Sequence, residues 1–220
     1  MEVLLMTTKI GVIGSGVVGQ VLAAGFASHG FKTMIGSRTP ENLAEWAAET
    51  SPPVATGTVE ETANHADLVV LAVKGTAAGE AARLAGPALA GKTIIDATNP
   101  IADAPPDGGV LKFFTNLDES LMEKLQAATP EAHFVKAFNC VGNALMVNPD
   151  LPGGPPTMFI CGNDADAKAE VTAILDLFGW ETEDMGGAEA ARAIEPLCIL
   201  WCIPGFQNNQ WMHAFKLLKG

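Results

Sequence analysis

From Lys9 onward the chain alternates short runs of aliphatic and β-branched residues with longer amphipathic ones, and this rhythm restricts the fold more than any other feature. KIGVIG leads into GVVGQVLAAGFASHG, FKTMIG into PENLAEWAAE and DLVVLAV into GTAAGEAARLAGPAL, and KTIIDATN and HFVKAFN follow. Strands separated by helix-length segments imply crossover connections, hence a parallel sheet covered by helices on both faces. IGVIG and LVVLAV are apolar throughout, as strands buried on both faces are. The expected fold is α/β, with a doubly wound, mostly parallel sheet.

A break at NPDLPGGPPT, beginning at Asn148, precedes two further strand candidates, TMFICG and ETEDMG, separated by the helical run DADAKAEVTAILDLFGW. We therefore expect a main domain over residues 1–147 and a small C-terminal α/β extension over 148–220 that completes a cleft. The tail from Gly187 reads as helical, with Pro196 and Pro204 as boundaries or kinks. PIADAPPDGGVLKFFTN, after Asn99, reads as a long loop at the C-terminal edge of the sheet, where ligands bind in folds of this kind.

The formal charge of −12 repels phosphate backbones and anionic membrane surfaces, which argues against nucleic acid and membrane partners. Any anionic ligand must be captured by local donors among only 13 Lys and Arg residues. Cys140, Cys161, Cys198 and Cys202 form no CxxC pair and lie in apolar runs, as buried free thiols of a reducing compartment do. MEVLLMTTK lacks the features of a signal peptide, and no run approaches the ~18–20 apolar residues of a membrane span. A cytoplasmic location is expected.

Gly14-Ser15-Gly16-Val17-Val18-Gly19 forms a GxGxxG. Alone this is a weak signal, but here it ends an apolar strand and opens a helix, the context of a dinucleotide-binding Rossmann turn. Gly14 is expected to make the turn, Gly16 to let the backbone approach a pyrophosphate, and Gly19 to pack helix on strand. The helix N-terminus then meets the phosphates with unpaired N–H groups.

About 20 residues further on, NAD-binding proteins place an acid that bonds the adenosine ribose. Here Gly36 and Pro40 flank Ser37-Arg38-Thr39. A guanidinium between two hydroxyls repels nothing and offers charge-assisted bonds to a 2′-phosphate, so the expected cofactor is NADP. A plain helix entry, with Thr39 as the cap, is the alternative. Val73 and Lys74 close the strand DLVVLAV, placing Lys74 near the pyrophosphate or nicotinamide ribose; Asn99, at the end of KTIIDATN, could bond the nicotinamide or simply make a turn with Pro100.

No catalytic residue emerges. The chain has no tyrosine, and His29, His65, His133 and His213 lack orienting partners in the sequence. Cys198 and Cys202 share a helix face, yet no second ligand pair accompanies them, so no metal is expected. The remaining candidate is the loop Asn139-Cys140-Val141-Gly142, small and mostly neutral, suited to lining the site of a flat partner ring.

Taken together, KIGVIGSGVVGQVLA, GSRTPEN, IIDATNP, VKAFNCVGNALM, TMFICGNDADAK and EPLCILW resemble the NADP-dependent reductases of coenzyme F420, from about Lys9 to the end. The resemblance implies one Rossmann-type domain with a small C-terminal extension, frequently dimeric, passing hydride directly between nicotinamide and deazaflavin rings. Such transfer depends on positioning and exclusion of water more than on a protein acid or base. The loop Asn139–Gly142 differs from the His-Thr-Ile-Pro of archaeal members, and no basic cluster awaits the anionic F420 tail; a flavin is the alternative partner. A reductase of small carbonyls or imines and a non-enzymatic NADP sensor are the readings from other classes. Trp201, Trp211 and Met212 mark a possible dimer face.

Overall fold

The computed structural model describes residues 8–220; all but the last two residues of MEVLLMTTK lie outside them. Six parallel strands form the main sheet: β1 (Lys9–Ile13), β2 (Lys32–Gly36), β3 (Ala55–Gly57), β4 (Leu68–Leu71), β5 (Thr93–Asp96) and β6 (His133–Lys136). Their order, β3-β2-β1-β4-β5-β6, winds outward in both directions from β1. The fold is therefore a doubly wound Rossmann-like sheet, and its switch point lies between β1 and β4. Ile13 pairs with Gly36 on one side and Leu71 on the other, so the glycine turn leaves the sheet at this point.

Helices cover both faces. α1 (Val17–Ser28) packs Leu22, Ala23 and Phe26 against one face. α2 (Ala44–Glu49) follows a single 3-10 turn, Pro40–Leu43. α3 (Val59–His65), α4 (Gly75–Ala85) and α5 (Leu121–Ala128) contribute Ala63, Ala78 and Leu125 to a second cluster on the other face. Burying each large apolar side chain of these clusters contributes about 1.5–3 kcal/mol.

β7 (Thr157–Ile160) and β8 (Glu181–Asp184) form a parallel pair joined by α6 (Ala165–Leu177). An antiparallel bridge between Lys136 and Cys161, in which Lys136 N–H donates to the Cys161 carbonyl at 3.0 Å, ties this pair to β6. Met158, Ile160, Val171, Ile174 and Phe178 belong to the same core cluster as Ile10, Val12 and Phe26. Residues on both sides of position 147 thus share one core.

The tail differs from the helical reading. α7 (Ala191–Ile194) and α8 (Leu197–Asn208) are helical, with Pro204 inside α8, but the chain beyond Asn209 is not. Asn209 takes a left-handed conformation, φ 53°, that ends the helix. The Trp211 ring then lies where a Cβ on Gly205 would come within 2.2 Å of it, and this packing turns the chain back along α8. Trp201 Nε1 donates to the His213 carbonyl at 2.8 Å, while the His213 Nε2 meets the Trp201 carbonyl at 3.0 Å. The reciprocal pair locks the extended tail to the helix. Among the described residues no helix is long and apolar enough to cross a membrane.

Candidate functional site: a cleft at the switch point

Beyond the C-terminal ends of β1, β2 and β4 lies a cavity of about 270 Å³. Its walls bring together Gly14, Ser15, Gly16, Ser37, Arg38, Thr39, Val73 and Lys74 from three separate segments. Val17, Val18 and Gly19 lie behind the turn, in the first coil of α1, and Asn99 stands one strand further along the sheet.

Each glycine of the turn meets a different demand. Gly14 has φ 134°, and a Cβ there would approach the Ala72 carbonyl oxygen to 2.2 Å. A Cβ on Gly19 would fall 1.9 Å from the Gly14 carbonyl oxygen, so helix and turn touch with no room for a side chain. Gly16 is the contrast: a Cβ there meets nothing within 4 Å among the described residues and would project into open space. Gly14 and Gly16 both border the cavity, and Gly16 is the one of the two whose smallness the described residues do not require.

In the stretch Ser37-Arg38-Thr39, Ser37 is buried, its N–H donating to the Gly57 carbonyl and its Oγ accepting from the Thr39 N–H at 3.0 Å. Thr39 precedes the 3-10 turn without a side-chain cap bond; its hydroxyl accepts instead from Asn42. Arg38 is exposed and forms no ion pair among the described residues. Lys74 pairs with Asp103 of the long loop, both side chains remaining exposed. Val59, Ala77, Ala81 and Leu84 give the cavity an apolar side, and Glu80 adds one carboxylate. These residues from α3 and α4 carried no signal in the sequence, because nothing in an alanine-rich helix tells which face borders a cleft.

Asn99 and Asn139 interlock. Asn99 Nδ2 donates to the Asn139 carbonyl at 2.7 Å, and Asn139 Nδ2 donates to Asn99 Oδ1 at 3.3 Å and to the Ile194 carbonyl at 2.9 Å. Asn139, Cys140 and Val141 are buried, and Gly142 lies under Trp201, whose Cη2 would be 2.8 Å from a Cβ at that position. Burial pushes the Cys140 thiol up to about 12, so it is inert at neutral pH.

Below this pair is an ionic cluster that sequence reasoning missed. Lys136, wholly buried on β6, places its ammonium 2.7 Å from Asp96 Oδ2 and 3.1 Å from Glu195 Oε1, and donates to the Thr98 carbonyl at 2.9 Å. Burial alone would lower its pKa, but the two carboxylates outweigh that and raise it. Glu195 also accepts from the N–H groups of Leu121 and Met122 at the start of α5, both at 3.0 Å, and Asp96 Oδ1 accepts from Thr98. The cluster fixes the turn carrying Asn99 and ties the C-terminal segment to the sheet. A lysine inside the apolar strand HFVKAF was the available signal.

The loop after Asn99 folds into a flap. Ile101 bridges Phe113 and Asp107 bridges Val110, both antiparallel, and the Gly108 carbonyl accepts from Gln207 of α8. Ile101, Leu111 and Phe113 pack with Cys198, Trp201, Cys202, Trp211 and Phe215 in a third cluster. Cys198 and Cys202 are core residues here, and the described residues contain no group of three or more candidate metal ligands.

A doubly wound sheet with a glycine turn and a cavity at its switch point defines a dinucleotide-binding protein of Rossmann type. Comparison with known proteins gives the family. Residues 9–100 match the family described as NADP oxidoreductase, coenzyme F420-dependent. A crystal structure from Arthrobacter sp. FB24, named for F420-dependent NADP reduction, is 33% identical with a TM-score of 0.90, covering 96% of this chain and all of that one. The chain belongs to the F420-dependent NADP oxidoreductase family, whose nicotinamide cofactor is NADP. Rat metalloreductase STEAP3 is 31% identical over 202 residues, 89% of this chain but 38% of that protein's length. An imine reductase from Myxococcus stipitatus shares the fold at a TM-score of 0.63 and 15% identity, this chain spanning 58% of its length.

Proposed function

We propose that this protein transfers hydride between NADP(H), held in the switch-point cavity, and a flat redox ring, a deazaflavin such as F420 or a flavin. The observation that carries the proposal is Arg38: an exposed guanidinium without an ion pair among the described residues, beside Ser37 and Thr39, on the rim of a cavity that opens at Gly16. Arg38 with the two hydroxyls would hold a 2′-phosphate, while the N–H groups at the start of α1 would face the pyrophosphate. The bound nicotinamide supplies the hydride chemistry.

The chain's own contribution is position. At the proposed nicotinamide end, Asn99 and the loop Asn139-Cys140-Val141-Gly142 include no Tyr, His, acid or lysine, and the buried Cys140 thiol is pushed up to about 12, so these residues offer no ordinary proton donor beside a reacting ring. That favours an exchange between two rings, in which no proton need come from the protein, over reduction of a carbonyl or imine, where one usually must. The interlocked Asn99 and Asn139, fixed by the ionic cluster beneath, would set the nicotinamide end, and the flap with its aromatic cluster would shelter the second ring from water. Of the residues expected at a dimer face, Trp201 and Trp211 pack inward and Met212 is exposed, so self-association is proposed through Met212 with exposed Leu200 and Phe206, with sedimentation velocity as its check.

Stopped-flow oxidation of bound NADPH, with F420, FMN, FAD and a panel of carbonyls and imines offered in turn, tests this reading. Rapid oxidation by F420 or a flavin is expected. Turnover confined to a carbonyl or imine would replace the proposed acceptor, and tight NADPH binding without oxidation by any of them would make the protein a sensor.

A further inference from the structure

The inference rests on NADP occupying the switch-point cavity. Among the described side chains that line it, Glu80 is the only acid, in company with Arg38 and Lys74. A carboxylate in a site for an anionic ligand opposes binding unless it meets a donor on that ligand. Glu80 is also held in place: Arg83 donates from Nε to Oε2 at 2.7 Å and from Nη2 to Oε1 at 2.6 Å. The fork offsets the negative charge and fixes the rotamer, and each carboxylate oxygen keeps a further lone pair for a donor. The hydrogen bonds from Arg83, and to a smaller degree the charges of Arg83 and Arg38, hold the Glu80 carboxyl below its usual range, so at neutral pH it only accepts.

The surroundings say which part of the ligand it meets. Glu80 shares α4 with Ala77, Ala81 and Leu84, and with Val59 these make a wall that suits a flat neutral ring and offers a phosphate nothing. The phosphates belong with the glycine turn and Arg38. The neutral ring attached to the 2′-phosphorylated ribose is adenine, whose exocyclic N6 amine is a donor, whereas 6-oxopurines carry an acceptor at that position.

We propose that Glu80, positioned by Arg83, accepts a hydrogen bond from the adenine N6 amine and selects adenine over 6-oxopurines as the base of the cofactor.

The test compares dissociation constants of NADPH and its hypoxanthine analogue, by dihydronicotinamide fluorescence, for the parent protein, Glu80→Gln and Glu80→Ala. The parent should prefer the adenine cofactor by about tenfold or more, the loss expected when a charged acceptor meets no donor. Glutamine offers both a donor and an acceptor and alanine neither, so in both variants the preference should shrink to roughly threefold or less. Both substitutions are at an exposed helix position, so melting temperatures should match the parent. The NADPH-over-NADH preference should persist, because Arg38 is untouched. An adenine preference absent from the parent, or unchanged in the variants while the NADPH preference persists, would overturn the role of Glu80 and leave the NADP site standing. Failure of the parent to bind NADPH would overturn both.

Discussion

At the residue scale, Gly16 and Gly19 separate binding from folding. Gly16→Ala places a methyl in the cavity without touching the described protein, so we expect an unchanged melting temperature and NADPH affinity reduced tenfold or more, on the order of 1.4 kcal/mol. Gly19→Ala drives a Cβ into the backbone of Gly14 and should destabilise by about 1–3 kcal/mol in urea unfolding, as overpacking does. Equal stability losses for the two would mean that Gly16 serves the fold and not a ligand. Glu123 and Arg192 make a prediction in pH. The hydrogen bond from Arg192 holds the Glu123 carboxyl down at about 2, against an ordinary 4.5. A lowered carboxylate stabilises the fold above its unfolded pKa and loses that contribution as pH falls through the folded one. The stability difference between the parent and Arg192→Ala should be constant above about pH 4.5 and shrink toward pH 2, measured by urea unfolding across that range. A difference that does not vary with pH would assign the contact to packing alone.

At the element scale, the buried cluster of Asp96, Lys136 and Glu195 joins β5, β6, α5 and the segment before α8. Lys136→Met removes the cation and leaves two carboxylates buried, which should cost about 3–5 kcal/mol in urea unfolding. A loss below about 1 kcal/mol would contradict a stabilising role for the buried cation. The apolar runs of β1 and β4 and the glycine turn made those elements readable, since a doubly covered strand excludes polar residues. Two elements were not read, and the end of the tail was misread as helical. β3 is only Ala55–Gly57, too short for a period to show. α5 opens on Ser120-Leu-Met-Glu123, a capping box in which Ser120 and Glu123 bond each other's backbone N–H groups; the pattern was present but overshadowed by the long loop before it. The chain beyond Asn209 has helix-compatible composition, and its packing onto Gly205, Trp201 and Thr157, with ion pairs from Lys216 to Glu181 and Lys219 to Glu183, holds it extended.

At the scale of the whole molecule, the site is assembled from segments remote in sequence, and this divides what the sequence could tell from what it could not. The glycine turn and Ser37-Arg38-Thr39 are local patterns tied to strand ends, so their convergence follows from the strand order β2-β1-β4. The apolar wall from α3 and α4, the Asn99–Asn139 interlock and the aromatic cluster under the flap arise from packing across the sheet edge, which no spacing reveals. The NADP specificity proposed for the switch-point cavity rests on Arg38. It is tested most directly by the dissociation constants of NADPH and NADH for the parent and Arg38→Ala. Losing a charge-assisted phosphate contact of about 1.5–3 kcal/mol should weaken NADPH binding roughly 10- to 150-fold while NADH changes by less than about threefold. Equal losses for both cofactors would mean that Arg38 does not select the 2′-phosphate.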